Sequence, residues 1–281
     1  MDVEAVESPA HPLPPRGLPA LWFAMQQPLY GLRVTLRTPA LRRIAIAPIV
    51  FLATLCLLVA LAGHGPAISR LELFYTTMLS LAPVPVVLFG RTYRRLAAAA
   101  RVPLGLSPRD AARPSLMSAI GDAIRQTLLL AIGLAPIYLA VELLEGWGSL
   151  IDGLLVALAW LLGVLWTLHW ISVEALDNAQ TLPPGTTEAA ARAAIEAAPD
   201  PWFVRLYSGP LRPFGKLLRR LSRPWRRELE ILARRPDLAL GFGLGVAGLL
   251  LIPMGALVFR PATVVGGVHL LGRLEARDPA V

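Results

Sequence analysis

Charged residues vanish from long stretches of this chain and return in short clusters. Residues 44–63 form the first such stretch, twenty positions without a charge. At about 1.5 Å per residue in a helix, that length matches a hydrocarbon core of roughly 30 Å. Pro48 lies in its first turns, where the missing N–H is tolerated. Residues 73–90 form a second uncharged block containing Pro83 and Pro85, followed at once by Arg91, Arg94 and Arg95. A kinked or tilted helix is predicted there. The third block, residues 127–141 with Pro136, is short for a crossing. It either penetrates partway or borrows length from the amphipathic stretch 116–126. A turn at Glu145-Gly146-Trp147-Gly148 leads to the fourth block, residues 153–173, which is long enough to span. It carries Trp160, Trp166 and Trp170, and the last two are predicted in an interfacial belt.

Residues 174–237 are polar, and apolar sequence then resumes over 238–259, broken by Pro253 and closed by Arg260-Pro261. A further apolar run follows over 262–272. Two apolar arms meeting at a proline-rich bend predict a hairpin that enters the bilayer partway, with protein or water covering the freed backbone. The chain therefore divides into a disordered tail (1–17), a membrane domain (18–173), a cytoplasmic basic helical insertion (174–237), a C-terminal membrane hairpin (238–272) and a tail (273–281). The fold class read from this pattern is all-α and membrane-embedded.

The charges between the blocks predict the orientation. Segments 64–72 and 142–152 hold Arg70 as their one basic residue, against Glu72, Glu142, Glu145 and Asp152. Segments 1–43, 91–126 and 174–237 hold 23 basic and 13 acidic residues. By the positive-inside rule the second set, and both termini, face the cytoplasm. No cleavable signal is apparent: Asp2, Glu4 and Glu7 with several prolines stand where a basic and then apolar leader would begin. The location expected is the bacterial inner membrane, crossed several times.

Composition sharpens this picture. Of the 281 residues 55% are hydrophobic and only 16% charged, with a mean hydropathy of +0.58; soluble domains carry about 25% charged residues. The net charge is +8, and Lys216 is the one lysine among arginines. The lone Cys56, mid-span, excludes an internal disulfide and suits packing. Gly243 to Gly248 satisfies G-x-G-x-x-G, but inside an apolar stretch with no preceding strand it is not a dinucleotide fingerprint. Gly241, Gly245 and Gly248 instead share a face that lets another helix approach closely. His169 and His269 lie in apolar blocks with no metal ligand at suitable spacing; His169 reads first as an interfacial side chain and second as a proton relay. No nucleophile constellation or phosphate loop appears, so the expectation is a non-enzyme without cofactor. The short Ala-rich segment 188–198 is predicted helical. In the basic stretch 214–235, Leu217, Leu218, Leu221, Trp225, Leu229 and Leu232 recur at helical spacing. That pattern predicts a helix lying on an anionic inner leaflet, in preference to one binding nucleic acid.

The segment with chemical potential is Arg37-Thr38-Pro39-Ala40-Leu41-Arg42-Arg43. Thr38 suits the N-cap and Pro39 the N1 position, so Arg42 and Arg43 fall in the first turn. The macrodipole opposes cations there by about 0.3–1 kcal/mol each. Two readings offset that cost: the arginines anchor the cytoplasmic end of a span, or they clamp an anion together with the free amides of Ala40 and Leu41.

These residues, with Ile44-Ala45-Ile46-Ala47-Pro48, resemble the Pro-Gly-x-Arg-Arg segment of CysZ-type sulfate permeases, which group with the etoposide-induced autophagy protein family. Gly241-Phe242-Gly243, Leu250-Leu251-Ile252-Pro253 and Pro261-Ala262-Thr263-Val264-Val265-Gly266 resemble that family's terminal hairpin. Glu174-Ala175-Leu176-Asp177 resembles its short acidic motif. The resemblance implies two full spans plus two partly penetrating helical hairpins, homo-oligomeric assembly, and sulfate held at Arg42 and Arg43. It departs at Ala40, where the family has glycine, at Asn178-Ala179 and Gly255-Ala256, and in the longer segment 181–223. The function expected is ATP-independent permeation of an inorganic anion such as sulfate, with anionic lipids as partners and no nucleic acid. The alternative is a non-transporting scaffold binding lipids or partner proteins.

Overall fold

In a computed structural model of the protein, residues 13–63, 67–80, 84–111, 115–144, 149–207, 209–252 and 255–277 are described. Among them the fold is all-α, apart from one isolated antiparallel bridge between Asp110 and Leu182. The helices are α1 (Leu18–Arg37), α2 (Pro39–Ala62), α3 (Ala67–Ser80), α4 (Val84–Arg101), α5 (Leu116–Ile132), α6 (Ala135–Leu144) and α7 (Ser149–Ala179). They continue with α8 (Glu188–Ala197), α9 (Trp202–Leu206), α10 (Arg212–Leu221), α11 (Arg226–Arg234), α12 (Pro236–Leu251), α13 (Gly255–Val258) and α14 (Arg260–Arg277).

Three stretches are long and apolar enough to cross a membrane: Pro39–Ala62, Leu116–Leu143 and Ile151–Ala179. Only 28%, 17% and 17% of their most apolar windows are buried inside the chain. Phe51, Leu58 and Leu61 on α2 and Leu154, Trp160 and Leu161 on α7 are exposed. Helices that pack in water bury their apolar stripe; faces this large and apolar need another apolar medium.

The placement of these helices differs from the block pattern. The third block does not stand alone: α5 and α6 together run from Leu116, so the stretch 116–126 supplies the missing length. The join falls at Gly133-Leu134, just before Pro136, whose ring removes a ladder hydrogen bond. There the Tyr207 hydroxyl donates to the Gly133 carbonyl at 3.0 Å. The second block is described only on either side of residues 81–83, where the expected kink falls. α3 ends at Ser80 and α4 begins at Val84, and Pro83 lies outside the described residues. At 16 residues α12 would extend about 24 Å, short of a full crossing.

The core is a ring of four helices. α1 packs on α12 and α14, and α7 packs on the same two from the other side. Glycines set these approaches. A Cβ on Gly241 or Gly245 would collide with the carbonyls of Leu21 and Met25 on α1, and one on Gly243 would meet the Leu168 carbonyl of α7 at 2.5 Å. Gly31 and Gly266 bring α1 and α14 together in the same way. Small residues thus let backbones approach where larger ones would overpack. The expectation for Gly248 fails: the space around it is open. α4 closes over the ring, with Tyr93, Leu96, Ala97 and Ala100 buried. α14 also continues past residue 272 to Arg277, so Arg273, Leu274 and Glu275 belong to a packed helix.

Two further expectations change. Trp166 and Trp170 are not at an interface: they are 7% and 1% exposed and pack edge-on with Phe203 and Trp225. Within the insertion, the face of Leu218, Leu221, Trp225, Leu229 and Leu232 is buried in the protein's own core, against α5, α7 and α12. The chain's own helices cover the face that sequence spacing assigned to lipid, except at Leu217, which stays exposed.

Candidate anion site and the buried arginine pairs

α1 runs into α2 through the single residue Thr38, which adopts an extended conformation (φ −99°, ψ 106°) at the N-cap. Pro39 occupies N1, as its fixed φ and missing N–H favour. The Thr38 side chain makes no capping hydrogen bond, and the first helical bond from this turn is Arg42 N–H to the Thr38 carbonyl at 3.0 Å. The amides of Ala40 and Leu41, lying before it, have no intrahelical acceptor.

Leu41 is fully buried and pins the start of α2 to the core, while Ala40, Arg42 and Arg43 are exposed. Neither arginine side chain forms an ion pair or hydrogen bond with the described residues. Adjacent helical positions do not face each other, so Arg42 and Arg43 reach around the helix end from two sides. The structure thus places two unpaired cations beside the exposed Ala40 with its uncapped amide, whereas Leu41 is buried as a whole residue and its amide is withdrawn from the surface.

Four arginines on α4, after it and at the start of α14 behave differently. Arg94 of α4 pairs with Asp177 at 2.8 Å. Arg260 at the start of α14 pairs with Glu174 at 2.7 Å, and Gln126 donates to the second Glu174 oxygen at 3.0 Å. Arg101, its side chain 3% exposed, and Arg109 share Glu275 at 2.9 and 2.8 Å. Both carboxylates of the Glu174–Asp177 motif are therefore clamped between α4, α5, α7 and α14. Sequence reasoning noticed the acidic motif but not its partners. The one available signal was Arg94 and Arg101, seven residues apart on one face of α4.

Beside this network Glu228 of α11 is 1% exposed, and neither carboxyl oxygen has a hydrogen-bond partner. Burial, and after it the negative charge of Asp177, push its carboxyl up to about 8, so it is protonated near neutral pH.

His269 sits in α14 beneath Tyr30, its Nδ1 2.6 Å from the Gln27 Oε1. His169 is half-buried among Trp166, Trp170 and Trp202, with its Nε2 buried and without a hydrogen-bond partner. Cys56 is buried and free beside Leu52. Gly243 to Gly248 lies within α12. Among the described residues no group of three His, Cys, Asp or Glu side chains is placed to hold a metal ion.

No family model matches the chain, and no curated protein matches its sequence.

Proposed function

We propose that this chain is an ATP-independent membrane permease for a small inorganic oxyanion, sulfate being the first to test, with Arg42 and Arg43 as its cytoplasmic anion site. The observation that carries the reading is the pair of exposed guanidiniums without carboxylate partners, one turn from uncapped amides, in a chain whose interior arginines are paired. A helix N-terminus with free amides and adjacent arginines is suited to a doubly charged anion. The resemblance to CysZ-type permeases supports the same assignment, as do the three span-length helices.

In this scheme α2 leaves the cytoplasm, and α3 with the apolar start of α4 returns. Leu116–Leu143 leaves again, α7 returns, and α12 to α14 form a partly inserted hairpin. Both termini are then cytoplasmic. An aqueous path between subunits of a homo-oligomer carries the ion, which the arginines attract and partly desolvate.

The test is sulfate binding by the purified protein, expected in the micromolar-to-millimolar range, and sulfate uptake into proteoliposomes. Arg42→Ala with Arg43→Ala should abolish binding; undiminished binding rejects the site. The second reading is a membrane scaffold, favoured by the ordered helical insertion packed against α5, α7 and α12. Absence of sulfate uptake by wild-type proteoliposomes, with lipid or partner binding retained, decides for it.

A further inference from the structure

Between α7 and the insertion lies a cavity of about 490 Å³, within the range of pockets that hold small organic ligands, roughly 300–1,000 Å³. Its walls come from the α5–α6 join, α7, α9 and the α11–α12 junction, including Gly133, Leu165, Leu206 and Leu240. They are apolar almost throughout. Of the side chains there with polar atoms, Tyr207 donates to the Gly133 carbonyl and Trp166 to the Leu129 carbonyl, whereas His169, ringed by Trp166 and Trp202, has a buried Nε2 without a hydrogen-bond partner. A buried polar nitrogen left unpaired costs about 1–3 kcal/mol, so it marks a place where a ligand atom belongs.

The rim supplies the second half of the recognition. Trp202 and Leu206, which line the cavity from α9, are also 45% and 62% exposed. Arg205 stands between them in sequence, and Arg212 and Lys216 follow on α10; all three are exposed. None of the three forms an ion pair or hydrogen bond with the described residues. The arrangement is amphiphilic: an apolar interior beside the unpaired His169 nitrogen, and on α9 an exposed arginine next to the exposed Trp202 and Leu206.

We propose that this cavity binds one anionic phospholipid. An acyl chain fills the apolar space, an ester carbonyl accepts a hydrogen bond from His169 Nε2 once the ring turns that buried atom toward the cavity, and the phosphate head lies outside at Arg205. Aromatic side chains at such a mouth suit the ester level of a leaflet, and each nearby cation adds about 1 kcal/mol of attraction to an anionic surface. The inference rests on the membrane reading of α7 but not on sulfate transport. It gives the insertion a role as the wall of a lipid site.

The experiment uses the full-length protein in phosphatidylcholine nanodiscs doped with one of three probes. These are phosphatidylglycerol with a diazirine in its acyl chain, the corresponding phosphatidylcholine, and a diazirine fatty acid. After illumination, adducts are mapped by peptide mass spectrometry, and sulfate binding is measured on the same discs. Adducts from phosphatidylglycerol should fall around Trp166, His169 and Trp202, several-fold more abundant than those from phosphatidylcholine. His169→Phe should lower them up to about tenfold, the worth of one hydrogen bond. Ala233→Trp, on the cavity wall, should lower them further, and Arg205→Gln should erase the head-group preference without changing Tm.

Equal labelling by the two phospholipids overturns the anionic head. Labelling by the fatty acid alone overturns the phospholipid. Adducts that ignore both His169→Phe and Ala233→Trp, or that lie only on the outer face of α2, overturn the site. Sulfate binding retained in His169→Phe separates failure here from failure of the anion assignment.

Discussion

Arginines serve two regions of this molecule in opposite ways. At the start of α2, Arg42 and Arg43 are exposed and free of carboxylates. Around the ends of α4, α7 and α14, Arg94, Arg101, Arg109 and Arg260 are each held by Asp177, Glu174 or Glu275 within 2.9 Å. A buried charge is tolerated only with a partner, so the second set is committed to the fold. An exposed arginine whose charge is opposed by its own helix keeps its electrostatic capacity for something else. The same residue type is architecture in one place and a candidate site in the other, and burial decides which.

The contrast breaks first at Glu275. Glu275→Ala leaves Arg101 buried and uncompensated, and the loss expected is about 3–5 kcal/mol, read as a fall in unfolding midpoint in detergent. Replacing both partners together, Arg101→Met with Glu275→Leu, should cost less, because the more deeply buried charge is removed and only the less buried Arg109 loses its partner. An equal loss in the single and double variants would show that the Arg109 pair, broken in both, carries the effect.

Glu228 sharpens the comparison with a buried acid that has no partner. Its folded value, about 8, lies above the ordinary 4.5, so the folded state holds a proton that the unfolded chain releases. Stability should therefore be full below pH 4.5 and fall steadily as pH rises to about 8, by an amount on the order of a few kcal/mol. Glu228→Gln should flatten that slope, and thermal melts from pH 5 to pH 8.5 would reveal it. A wild-type protein whose stability rises over this window contradicts the assignment of a neutral Glu228.

The smallest effect on stability is expected at the proposed site itself. Arg42→Ala with Arg43→Ala should change unfolding free energy by no more than about 0.5 kcal/mol, as for exposed positions elsewhere. Sulfate binding should nevertheless disappear. A strongly destabilised double variant would place these arginines with the architectural group and remove the reason for calling them free.

Much of this was legible from the residues in order. The start of α2 with Thr38 at the N-cap position and Pro39 at N1, which puts Arg42 and Arg43 in the first turn, and the helix at 188–197 follow from local chemistry, although the Thr38 side chain makes no capping bond. So does the close approach at Gly241 and Gly245, because small residues four apart must share a helix face. The errors arose where a partner was distant. Trp166, Trp170 and the leucine face of α10 and α11 look amphipathic in isolation, and the pattern does not say whether lipid or protein covers them. The arginine pairs join residues 83, 86 and 174 positions apart, beyond the reach of any periodicity.

Hydropathy and charge order, with the local rules of capping and helical spacing, settled by themselves that this chain is helical, where its apolar segments lie and which arginines begin α2. Those properties depend on neighbours within a few residues. Which helices enclose which, whether a tryptophan meets lipid or phenylalanine, and whether an arginine is free or locked depended on contacts between distant segments. Burial is a property of the assembled surface, and only the tertiary structure creates that surface.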